Sequence, residues 1–278
     1  MHPLDADAPQ AVLVHGMWSS FDTWAATPRV LQRAGVRVQR YDLPQHGPRF
    51  DDRRALGRMG VGDYVEDLLA HLRRFERPPV LIGHSMGALV SLLAAARHPV
   101  PAVLMITPAV PAGSLPLSLS NAICMARPAL GLLLGHRAFR LSRWEAGFGL
   151  YNATLPEHRD ALIERLQPES ACALAQIAFW FLHGRGATRL DPSQVRCPVR
   201  VYLGGRDRIV PPHAANALRE LDDVRITLEP RSGHMVFDEP ARQHFFDWLL
   251  RSLAEVGQIP PDAVAGQGPH THRVAVAG

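Results

Sequence analysis

Serine, aspartate and histidine occur in that order, each in a turn-like setting, and together they could run a nucleophilic relay. Ser85 is the centre of Gly83-His84-Ser85-Met86-Gly87, Asp207 follows Gly204-Gly205-Arg206, and His234 lies in Ser232-Gly233-His234-Met235. A serine hydroxyl is a weak nucleophile at neutral pH and needs a base to take its proton. An imidazole, ordinarily titrating at ~6.5, offers that base. A carboxylate then orients the imidazole. Asp207 is the leading acid. Asp238 is the rival, but with Glu239-Pro240 after it, it reads better as the start of the last helix. The chemistry is acyl transfer to Ser85, with water as the only co-substrate required. No cofactor and no metal is expected.

The developing oxyanion needs two backbone N–H donors. One is expected from Met86, directly after the nucleophile. The other is expected from Met17, in His15-Gly16-Met17-Trp18, where Gly16 lets the chain turn its amide inward. His15 and His84 read as structural or hydrogen-bonding residues. Trp18, Phe179, Trp180 and Met235 are the candidate substrate-binding walls.

These residues need elements to hold them. Apolar runs at Ala11–Val14, Val80–Ile82, Ala102–Ile106 and Val199–Leu203 read as buried strands, and Val36–Tyr41 and Val224–Leu228 as two more. Helical patterns lie between them: Asp22–Ala34, Val61–Phe75, Ala88–Arg97, His213–Leu221 and Glu239–Val256. Alternation of this kind implies right-handed crossovers and a mainly parallel sheet, in an α/β fold of about six strands. His15, Ser85, Asp207 and His234 all fall just past strand ends, where such sheets place their chemistry. The glycines around Ser85 fit a strained strand–turn–helix in which the hydroxyl projects outward.

Alternation stops between Thr107 and Leu190. Residues 1–10 are expected to be a tail, 11–107 and 191–256 the core, 108–190 a helical cap, and 257–278 a disordered tail. In the cap, Ser114–Gly135 carries one charge, Arg127. Pro116, Pro128 and Arg127 argue against a membrane span there. Its Leu115, Leu117, Leu119, Ile123, Leu130, Leu132, Leu133 and Leu134 point to an apolar substrate pocket. Phe139–Leu150, Pro156–Leu166 and Ser170–Leu182 read as further cap helices.

With 278 residues and 47% hydrophobic composition, the chain can bury a large core. The 30 basic residues are all arginine, and the net charge is only +4. The arginines are scattered, with no basic stripe for nucleic acid. Cys124, Cys172 and Cys197 lack metal or redox spacing and fit reduced thiols in a cytoplasmic protein. No export signal, phosphate loop or dinucleotide fingerprint is present.

The segments His15-Gly16-Met17-Trp18, Asp42-Leu43-Pro44-Gln45-His46-Gly47, Gly83-His84-Ser85-Met86-Gly87, Gly204-Gly205-Arg206-Asp207 and Gly233-His234 together resemble the α/β-hydrolase superfamily. The group most resembled is that of esterases and monoacylglycerol lipases. The likeness covers about 11–106 and 195–255. It implies a serine hydrolase acting on a carboxylic ester. Lactone, C–C bond and acyl-transfer chemistry on the same triad, or a non-catalytic ligand-binding role, remain open at this point. Ser85 argues against the dehalogenases and epoxide hydrolases of this fold, which resemble it but use aspartate. Two departures stand out. Gln45 replaces the usual glycine, and the short start implies that the antiparallel strands that often open this fold are missing.

Overall fold

The structure, a computed structural model, describes residues 7–114, 118–133, 135, 137–182 and 186–265. In chain order the strands are β1 (Gln10–Val14), β2 (Arg37–Gln39), β3 (Val80–His84), β4 (Val103–Ile106), β5 (Ala138–Phe139), β6 (Glu169–Ser170), β7 (Val199–Gly204) and β8 (Val224–Glu229). Six of them form one sheet in the order β2-β1-β3-β4-β7-β8, and every neighbouring pair in it is parallel. A parallel sheet is covered on both faces, so its inner strands read as near-continuous apolar runs rather than alternating. β3, β4 and β7 are accordingly buried at every residue, whereas β8, at the edge, is not.

The helix Val61–Leu72 buries Val61, Tyr64, Val65, Leu68, Leu69 and Leu72, the stripe that a 3.6-residue period requires. The helix Met86–Ala95 is buried along its whole length and packs beside β3. One long helix over Asp22–Ala34 does not form. A 3₁₀ turn, Phe21–Trp24, precedes a helix, Thr27–Arg33, that starts with Pro28 in its first turn. Proline has no N–H to give to a preceding turn and is best placed in the first turn of a helix. Likewise Pro212–Glu220 is 3₁₀ rather than α-helical.

Gln45 has φ +61, in the left-handed region that favours glycine. Its side chain compensates by accepting the Asp51 amide at 2.9 Å.

The cap leaves the sheet after β4 and returns before β7. Its first helix, Leu119–Leu133, continues through Pro128. Among the described residues no helix is long and apolar enough to cross a membrane. A single helix over Phe139–Leu150 gives way to β5, which pairs antiparallel with β6, then a capped turn at Ser142–Glu145 and a π-helical turn, Ala146–Leu150. Pro156–Glu164 is a helix as expected, while Ser170–Leu182 divides into a helix, Ala171–Ala178, and a 3₁₀ turn, Trp180–Leu182.

The leucines of the first cap helix correct the sequence reading. Leu119 is 80% exposed, Leu130 55% and Ile123 38%. Leu115, Leu117 and Leu134, and the side chains of Leu132 and Leu133, lie outside the described residues. Past Gly257 the chain is not structureless throughout. Ile259 is buried and Asp262–Ala265 forms a helical turn against Arg242–Glu255. Residues 1–6 and 266–278 lie outside the described residues.

Candidate active site

Ser85 sits between β3 and the helix Met86–Ala95 with φ +52 and ψ −121. Four backbone hydrogen bonds hold it there, the longest from the Leu89 amide to its carbonyl at 3.4 Å. Its N–H donates to the Ile106 carbonyl at 3.0 Å, and its carbonyl accepts from Ala88 at 3.0 Å and Ala109 at 3.1 Å. A Cβ on Gly87 would collide with the Val14 and His15 carbonyl oxygens, and one on Gly83 would meet the Ala88 Cα at 2.5 Å. The two glycines are therefore what lets strand, turn and helix close around the serine. The hydroxyl caps no helix amide and opens on a cavity.

The loop after β8 carries His234. Its Nδ1 donates to Asp207 Oδ2 at 2.7 Å, and both side chains are buried. Asp207, past the end of β7, is itself fixed: its Oδ1 accepts the amides of Ile209 at 2.8 Å and Val210 at 2.9 Å. A proton on Nδ1 leaves Nε2 as the basic nitrogen. Asp238 does not cap the last helix, which begins at Arg242. It ends a 3₁₀ turn, Val236–Asp238, where burial raises its carboxyl and Arg165 opposes that.

Among the described residues Ser85 and His234 make no direct hydrogen bond, and His234 does not line the cavity on which Ser85 opens. The link runs through His84, whose Nε2 donates to the His234 carbonyl at 3.0 Å, with the two rings 4.9 Å apart. Thr107 Oγ1 donates to the same carbonyl at 3.0 Å. Catalytic hydrogen bonds are often long in the absence of substrate. Next to His234, the Gly233 amide donates to both oxygens of Glu239, at 2.9 and 2.8 Å. Burial pushes the Glu239 carboxyl up to about 7, against the pull of that amide.

The amides of Met17 and Met86 make no backbone hydrogen bond among the described residues, and both residues line the cavity beside Ser85. His15 is structural. Its Nε2 accepts the Leu43 amide at 3.1 Å and its Nδ1 donates to the Gly16 carbonyl at 2.8 Å. Burial, reinforced by His46, pushes it down to about 3, so it stays neutral.

His46 is the opposite case. Both its ring nitrogens face acceptors, the Pro44 carbonyl at 2.9 Å and Glu169 Oε2 at 3.1 Å. Burial opposes a charge there, but the Glu169 carboxylate outweighs it and raises the imidazole above its ordinary value.

The cavity encloses about 290 Å³. Trp18 and Phe179 line it, together with Val110, Leu174, Ile177, Ile209 and Val210. The first cap helix contributes Asn121, Ala122, Met125, Ala126 and Ala129, its small-residue face rather than its leucines. No charged side chain of the described residues lines it. Trp180 and Met235 are not among the lining residues. Trp180 Nε1 instead donates to the Ser114 carbonyl at 3.1 Å, and Met235 is packed into the core.

Sequence reasoning did not single out Glu169, Glu239 or Thr107. The first two are carboxylates that composition assigns to the surface, and both are fully buried. Among the described residues no group of His, Cys, Asp or Glu has an arrangement that could hold a metal ion.

The chain belongs to the alpha/beta hydrolase family, whose profile matches residues 11–243. It is a carboxylesterase- and lipase-like enzyme of that family. It is similar to a pimeloyl-[acyl-carrier protein] methyl ester esterase of Neisseria meningitidis, with 26% identity over 79% of this chain and 83% of that protein. It is also similar to a monoglyceride lipase of Rattus norvegicus, 28% identical over 52% of each chain. Among solved structures, a Paleococcus ferrophilus monoacylglycerol lipase superposes with TM-score 0.69 at 22% identity, covering 90% of this chain and 96% of its own. A hydrolase from Pseudomonas aeruginosa gives TM-score 0.67 at 22% identity, covering 90% and 92%. The structural likeness speaks for the fold.

Proposed function

We propose that this protein is a serine hydrolase that cleaves a carboxylic ester with a lipophilic acyl or ring portion through an acyl-Ser85 intermediate. The observation that carries the reading is the His234–Asp207 contact of 2.7 Å, set behind a strained Ser85 that opens on an apolar cavity. His234 Nε2 takes the Ser85 proton as Oγ attacks the ester carbonyl. The tetrahedral oxyanion is held by the Met17 and Met86 amides. His234 then gives the proton to the departing alcohol. Water repeats the sequence on the acyl-enzyme and releases the acid.

The absence of charged side chains from the cavity wall favours a neutral acyl or ring group. The names of the relatives, a methyl ester esterase and a monoglyceride lipase, support ester cleavage over lactone, C–C or acyl-transfer chemistry. Unpaired Cys124, Cys172 and Cys197 are compatible with a reducing, cytoplasmic setting.

A fluorophosphonate probe should label the wild type and neither Ser85→Ala nor His234→Ala. Labelling that survives in Ser85→Ala would overturn the nucleophile assignment. No labelling of the wild type would favour a ligand-binding role. On an ester series from acetyl to decanoyl, kcat/KM should pass through a maximum. A monotonic decline with chain length would remove the lipophilic-acyl reading.

A further inference from the structure

We infer that Glu169, which the cap contributes, is a positioning residue for the Met17 amide, so that the cap builds part of the oxyanion site as well as covering it. The inference rests on the reading of Ser85 as the acylated nucleophile.

Glu169 is fully buried and takes four donors. Oε1 accepts from the Tyr64 hydroxyl at 3.0 Å and from the Ser170 amide at 2.7 Å. Oε2 accepts from His46 Nε2 at 3.1 Å and from the Trp18 amide at 3.3 Å. Tyr64 comes from a core helix, His46 from the loop after β2, and Ser170 from the cap itself. The carboxylate is thus anchored from three directions, and its fourth bond reaches the residue after Met17.

Trp18 needs such a hold. It has φ +59, a conformation that bulky residues rarely adopt. The cap takes it at three points. Glu169 accepts its N–H, the Gln167 amide donates to its carbonyl at 2.8 Å, and its ring meets the edge of Phe139 at 5.8 Å. Holding Trp18 by its N–H and by its carbonyl fixes the peptide planes on either side of it, so the Met17 amide can swing relative to them only through the two dihedrals of Met17. A second tie, from the Gly47 amide to Gln167 Oε1 at 2.8 Å, locks the same cap segment to the loop after β2.

A purely structural ion pair would hold the cap down without favouring the transition state. The two roles separate with a pair of inhibitors built on the preferred acyl chain. Ser85 Oγ adds to the carbonyl carbon of a trifluoromethyl ketone as its proton moves to His234, and the carbonyl oxygen becomes an oxyanion on the Met17 and Met86 amides. The matching methyl ketone binds without that addition. In Glu169→Leu both carboxylate oxygens are removed, so all four donors, the Trp18 amide among them, lose their acceptor. The ratio of the two inhibition constants should fall ~10-fold or more, with methyl ketone binding within ~3-fold of wild type.

Glu169→Asp, one methylene shorter with its charge kept, should show a smaller fall in the same direction while keeping the wild-type circular dichroism spectrum. An unchanged ratio in a folded variant would overturn the inference, as would failure of both variants to fold. Tight trifluoromethyl ketone binding that persists in Ser85→Ala would instead sink the underlying nucleophile reading.

Discussion

His84 Nε2 donates to the backbone carbonyl of His234 at 3.0 Å, so the residue before the elbow serine fixes the loop that carries the proposed base. Burial, with His234 second, holds the His84 imidazole well below the ordinary histidine range. It therefore remains a neutral donor whatever the state of its neighbour. Removing it in His84→Ala should lower kcat ~10-fold with little change in KM, because a small misplacement of a base costs rate before it costs binding. Thr107→Val deletes the second donor to that carbonyl and should destabilise by about 1 kcal/mol. Single-turnover acylation and thermal melts of the two variants test this. Full acylation rate in the double variant would reduce both contacts to packing.

Asp207→Asn should keep the fold and lose the reaction. The Oδ1 contacts to Ile209 and Val210 can persist in the amide, while an NH₂ group replaces the acceptor at His234 Nδ1. The imidazole is then driven to the wrong tautomer. A fall in kcat on the order of 10³–10⁴ is expected, with Tm near that of wild type. A loss below ~10-fold would point to another acid.

Glu239 makes stability depend on pH in a stated direction. Its folded value of about 7 lies above the ordinary 4.5, so the folded state binds the proton more tightly than the unfolded state does. The stabilisation from that proton is complete below 4.5 and is lost as pH rises through about 7. Glu239→Gln keeps an acceptor for the Gly233 amide and removes the titration. It should leave stability at pH 4.5 nearly unchanged and raise it at pH 8 by an amount on the order of 3 kcal/mol. Urea unfolding of both proteins across that range is the measurement. Parallel stability curves would contradict it.

Ala126 is a small residue on the cavity wall. Ala126→Phe should fill space that a long acyl chain uses. The expected result is a loss in kcat/KM of ~10-fold or more for decanoyl esters, with acetyl esters within ~3-fold of wild type. Equal losses on both would mean that the acyl group lies elsewhere.

The sheet and the three triad candidates were readable because their signals are local. An apolar run followed by a glycine-bearing turn specifies a strand end, and Ser85, Asp207 and His234 each follow one. The cap was less readable because its helices could turn either face inward. Leu119 and Leu130 carry the stronger hydrophobic signal, yet Ala122, Ala126 and Ala129 face the cavity. Trp180 failed as a wall residue for the same reason: its indole found a carbonyl, Ser114, that sequence cannot bring near it. Glu169 and Glu239 were invisible because a buried carboxylate is defined by donors far away in the chain. Trp18 lies 151 residues from the oxygen that accepts its amide.

β4 and β7 are hydrogen-bonded neighbours in the sheet, in register from Val103 opposite Val199, although residues 107–198 intervene in the chain. The cap is therefore a detour whose two ends the sheet already holds together. Closure entropy grows only slowly with loop length, about 0.6 kcal/mol for each doubling. Changing the length of the detour therefore costs the scaffold little in closure entropy, and what a different cap must replace is the apolar packing that this one makes with the core. A grafted cap must also bring its own acceptor for three buried core donors, the Trp18 amide, the Tyr64 hydroxyl and His46 Nε2.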